Sequence, residues 1–98
     1  MRDEVIAAAT EELLNITRDY YRDLSNFIDQ INAEIDDLND KMIDISRNWN
    51  DANFTAFKNS VDVKIRELND QVDRAKQLLA IVAETEKGFA AALAILNG

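Results

Sequence analysis

An all-α, antiparallel two-helix hairpin is the fold class this sequence predicts, on three observations. Proline is absent and only two glycines occur in 98 residues, so little in the chain interrupts a helix. Apolar residues recur every three or four positions through both halves, the spacing of one helical face. Concentrated turn chemistry is found only near the middle, in "SRNWNDANFTAF" at 46–57. The reading is one domain over 1–98, with a first helix at about 3–47, a turn at about 48–52 and a second helix at about 53–96. Each helix is then about 45 residues and about 65 Å long at 1.5 Å per residue.

In the first helix, the apolar stripe runs through Ile6, Ala9, Leu13, Ile16, Tyr20, Leu24, Phe27, Ile31, Ile35, Leu38, Met42, Ile45 and Trp49. A second row keeps strict sevens through Ala7, Leu14, Tyr21, Ile28, Ile35, Met42 and Trp49 and widens the face to about three positions in seven. Tyr20 and Tyr21 offer large contact area with a polar tip, although their stripe spacing favours ordinary core burial.

The turn divides its labour. Asn48 and Asn50 tolerate the left-handed conformation that ends a helix, and Asp51 or Asn53 is placed to act as N-cap of the next. Trp49 closes the first stripe and Phe57 is an early member of the second, so a reversal between them is expected to bring both rings to the closed end. Trp49 is then an apolar plug under a polar loop, and if it is well buried its replacement by Ala should cost on the order of 3 kcal/mol.

The second stripe runs through Phe54, Phe57, Val61, Ile65, Leu68, Val72, Ala75, Leu79 and Val82, and resumes at Phe89, Leu93 and Leu96. Between them, "ETEKG" puts Glu86 on the seam and Gly88 in a helix interior, where glycine costs about 1 kcal/mol relative to alanine. Fraying, a kink or solvation is expected there, with Glu86 exposed rather than serving as a buried polar group that fixes register or partner. The final "FAAALAILNG" is apolar nearly all round, which suits a docking segment.

Both stripes are wider than one helix–helix seam covers, and wet apolar surface forgoes about 25 cal/mol per Å². A second hairpin is therefore expected to complete a four-helix bundle, as a homodimer or with another helical protein. The residues expected at that interface are Tyr20, Leu24, Phe27, Ile31, Ile35, Leu38, Leu68, Val72 and Leu79.

Composition narrows function. Without cysteine or histidine there are no common zinc sites, thiol nucleophiles or Ser-His triads, and no cofactor, metal or catalytic residue is expected. A net charge of −8 disfavours nucleic acid and anionic membrane surfaces as direct partners. That charge is uneven: residues 1–48 hold 12 acidic and 5 basic side chains, residues 49–98 hold 7 and 6. Acidic residues flank the only short apolar run of the N-terminus, so synthesis in the cytoplasm without a Sec signal is expected. The carboxylates at Asp29, Asp36, Asp37, Asp40 and Asp44 lie off the stripe and read as a solvated face. The loop from Asp44 fails as a calcium site, since Trp49 and Thr55 stand where glycine and a bidentate glutamate are needed.

The segment around Trp49 resembles the Trp-x-Gly hairpin of the WXG family, the small ESAT-like proteins exported by type VII (ESX) secretion systems. In that pattern Trp is followed by Gly two residues on, often by a small residue four on, and by an aromatic eight on. Trp49 and Phe57 match, while Asp51 stands at the glycine position and Asn53 at the small one. The likeness spans the chain in length, helix layout and central turn. The family's Tyr-x-x-x-Asp/Glu export mark has no counterpart near the C-terminus. The resemblance implies a non-catalytic protein acting either as a secreted dimer or as the helical targeting partner of a larger secreted toxin, bound to the toxin's helical N-terminal region. A partner would then carry the export mark. The alternative from another class is a cytosolic structural or regulatory helical-bundle protein, such as a phage component, immunity protein or adaptor.

Overall fold

The structure, a computed structural model, describes residues 2–98. Two helices account for nearly all of them: α1 spans Arg2–Asn48 and α2 spans Ala52–Asn97, antiparallel, with no strand among the described residues. The fold is an all-α helical hairpin. None of its helices is long and apolar enough to cross a membrane.

Only Trp49, Asn50 and Asp51 separate the helices. The amide of Trp49 still donates to the Ile45 carbonyl at 3.0 Å, so α1 is hydrogen-bonded up to its last residue. Asp51 starts α2: its Oδ1 accepts from the Phe54 amide at 2.9 Å, and its own carbonyl accepts the first helical bond from Thr55 at 3.1 Å. That is an N-cap, which satisfies one of the amides that a helix start leaves unpaired. No non-glycine residue among those described has a positive φ, so Asn48 and Asn50 do not use the left-handed conformation expected of them. The turn is made without a left-handed residue, and Asp51 caps the helix that leaves it.

The chain divides into two compact units, each taking a stretch of both helices. The turn unit is Phe27–Ala75; its buried residues are Ile28, Ile35, Phe54, Val72 and Ala75, with Ile31, Leu38, Met42, Val61, Ile65 and Leu68 half-buried beside them. The terminal unit joins α1 up to Asn26 with Lys76–Gly98. There Leu14 and Val82 are buried, and Tyr21, Leu24, Leu79, Phe89, Leu93 and Leu96 are half-buried.

These residues keep strict sevens in each helix. In α2 the rows are Phe54, Val61, Leu68, Ala75, Val82, Phe89, Leu96 and Ile65, Val72, Leu79, Glu86, Leu93. In α1 they are Ala7, Leu14, Tyr21, Ile28, Ile35, Met42 and Thr10, Thr17, Leu24, Ile31, Leu38. A 3.5-residue repeat keeps two helices in contact along a seam, where the 3.6 of a straight helix would drift off it. Thr10 and Thr17 fit this seam because their hydroxyls donate to the Ile6 and Leu13 carbonyls of their own helix, at 2.8 and 2.7 Å. Their hydroxyls are thereby satisfied, and the half-buried side chains leave no unpaired donor in the seam.

The strict-sevens row read from α1 thus lies in the hairpin core with Leu24, Ile31 and Leu38 of the other stripe, whose members Ile6, Leu13, Ile16, Tyr20 and Phe27 are exposed. The expected break near Gly88 does not occur either. α2 is continuous through "ETEKG", and Glu86 is half-buried and held by Arg18 of α1 at 3.0 Å. An ion pair with its partner across the seam removes the reason for Glu86 to leave the helix.

Candidate interaction site

At the turn, three aromatic rings meet. Trp49 packs against Phe54 with ring centroids 5.5 Å apart and tilted by 55°, and stacks on Phe57 at 6.0 Å and 25°. Both spacings lie within the range of favourable aromatic pairs. The plug, however, is Phe54, at 6% exposure, whereas Trp49 keeps 38% and Phe57 43%. The expectation of a buried Trp49 is corrected for a geometric reason. α1 ends at Asn48, so Trp49 lies on the lip of the seam, while the Asp51 cap aims Phe54 inward one turn into α2.

The residues expected to contact a partner divide in two. Ile35 and Val72 are buried, and Leu24, Ile31, Leu38, Leu68 and Leu79 are half-buried in the seven-residue rows that join the two helices of the chain. They hold the hairpin together. Tyr20 and Phe27 are exposed, and these two are open to a partner.

Tyr20 belongs to a larger exposed face of the terminal unit. On α1, the row just before the core row carries Ile6, Leu13 and Tyr20, with Ala9 and Ile16 beside it. The matching positions on α2 are Leu78, Ile81, Thr85, Gly88, Ala92 and Ile95. In an antiparallel pair these rows flank the same side of the seam, and Ile16, Thr17, Tyr20, Val82 and Thr85 line one shallow groove there. Ile81 and Ile95 are the most open, at 62% and 81% exposure. No charged side chain interrupts either row between Ile6 and Tyr20 or between Leu78 and Ile95. Beyond them both rows turn polar, with Asp23, Glu34, Asp37 and Lys41 on α1 and Arg74, Glu67 and Lys64 on α2.

The opposite side of the terminal unit carries the Arg18–Glu86 pair and Lys76. Elsewhere the charges form pairs within one helix, such as Lys41–Asp37 at 2.9 Å, Lys58–Asp62 at 2.8 Å and Arg47–Asp44 at 3.2 Å. The hydrogen bond from Lys41 to Asp37, helped by the charges of Asp37 and Glu34, raises the Lys41 amine above its ordinary 10.5. Such exposed pairs contribute about 1 kcal/mol or less.

Sequence reasoning passed over Thr10, Thr17, Arg18, Leu78, Ile81 and Ile95. The two threonines were detectable, since they extend the sevens of Leu24, Ile31 and Leu38 toward the N-terminus. Exposure of Leu78 and Ile81 carries no signal in a segment that is apolar on several sides. No protein-family model, no curated protein and no solved structure matches this chain.

Proposed function

We propose that this protein is a non-catalytic, WXG-like component of a type VII secretion system, which works by packing an apolar helical face against a helical partner. The partner is a second hairpin or the helical N-terminal region of a larger secreted toxin, and the composite surface is what the export machinery reads. The observation that carries the reading is the Trp49–Phe57 stack at 6.0 Å across a capped turn, because these two residues carry the sequence likeness. Asp51 supports it as well. Its cap does by hydrogen bonding the turning work that the family gives to glycine. An exposed apolar face on the terminal unit also supports a recognition role.

The test is removal of the gene from its bacterial host, followed by a comparison of the proteins in the culture medium. Loss of this chain's partner from the medium, restored by the gene in trans, is the expected result. An unchanged set of secreted proteins would refute the role in export.

A further inference from the structure

We infer that the exposed apolar face of the terminal unit seats a helical partner whose own apolar stripe is flanked by Lys and Arg, and not a second copy of this chain. This names the partner class of the recognition role proposed above and rests on that role.

Area is the first argument. A fully exposed Ile, Leu or Tyr presents about 200 Å², so the exposed large side chains of this face offer on the order of 750 Å², close to the ~800 Å² each partner gives a standard-size interface. A patch of that size on one side of a hairpin exceeds scattered surface apolarity.

Charge selects the occupant. One row outward from the face stand Glu12 and Asp19 on α1 and Glu84 on α2, all exposed, with no Lys or Arg among them. Glu84 shares with Ile81 and Thr85 the lining of a second shallow surface groove. Asp19 and Glu84 form ion pairs with Arg22 and Lys87 at 3.4 Å, and those bases lie a further row round the helix, away from the apolar face. Two copies meeting on this face would bring carboxylates toward carboxylates, and like-charge contacts at an interface are unfavourable. A stripe edged with Lys or Arg meets the same rim with opposite sign.

The experiment titrates the full chain with two synthetic helical hairpins that share one Leu/Ala face, one flanked by Lys and the other by Glu, with the mass of the chain alone measured in parallel. Expected are a monomer at micromolar concentration and binding of the Lys-flanked hairpin tighter by about tenfold or more, a gap that narrows in high salt. Ile81→Glu should abolish that binding with the helical circular dichroism spectrum intact. Ile16→Ser provides a milder second variant with the same expected direction. A self-dimer dissolved by Ile81→Glu overturns the inference in favour of a second copy. Equal affinity for the two hairpins, or none for either, overturns it too. Neither measurement reads export, so failure here and failure of the secretion role are separately visible.

Discussion

Arg18 of α1 and Glu86 of α2 meet at 3.0 Å although 68 residues separate them in sequence, and among the described residues theirs is the one ion pair that joins the two helices. Glu86 occupies a core-row position where leucine stands one repeat to either side, at Leu79 and Leu93. The pair marks which turn of α1 faces which turn of α2 while adding little to stability, since the Arg18 side chain is 54% exposed.

Replacing Glu86 by Leu should leave stability unchanged or raise it by about 1 kcal/mol, because an apolar side chain suits the seam better than a half-buried carboxylate. Arg18→Ala should lower it by about 1 kcal/mol. Urea unfolding of the two single variants and the double variant measures their coupling. A coupling of zero would mean that the contact does no work in solution.

Asp51→Ala removes the cap of α2 and should cost about 1 kcal/mol, whereas Asp51→Gly should cost a few tenths. Thermal unfolding followed by circular dichroism distinguishes the two. An alanine variant as stable as the parent would remove Asp51 from the turn mechanism.

Phe54→Ala should destabilise by about 3–5 kcal/mol, and Trp49→Ala by less, about 2 kcal/mol, in the order of their burial. Equal losses at the two positions would restore Trp49 as the plug.

Gly88→Ala should stabilise by about 1 kcal/mol, since α2 is continuous there and an added Cβ meets nothing within 4 Å. A destabilised variant would show that α2 is broken at this point.

The Lys41 amine has its pKa raised by Asp37, so the stability it contributes is present below the ordinary lysine value of 10.5 and fades as pH rises through the higher folded value. In Asp37→Asn the amine should titrate lower than in the parent, as read by NMR of the Lys41 side chain. An unchanged titration would show that the Lys41–Asp37 contact is not held in solution.

Much of the hairpin was legible in the chain. The three- and four-residue spacing defined two helices, and the cluster from Asn48 to Asn53 located the turn, with Asp51 among the two cap candidates. Which row faces inward was less legible. Ile6, Leu13 and Tyr20 lie one position before Ala7, Leu14 and Tyr21, and two rows that close on a helix differ by only about 100° of rotation. Hydropathy ranks Leu13 and Leu14 equally. Only the opposing helix breaks the tie.

Local propensity, capping chemistry and composition are enough to make the chain helical, to locate its turn and to set its acidic charge. Tertiary structure decided the rest. It gave the inner seam to the strict sevens because both helices must keep one repeat to stay in contact. It put Phe54 rather than Trp49 in the core because the cap orients the first turn of α2. It also left one apolar face of the terminal unit open, because a single seam between two helices covers only one stripe of each.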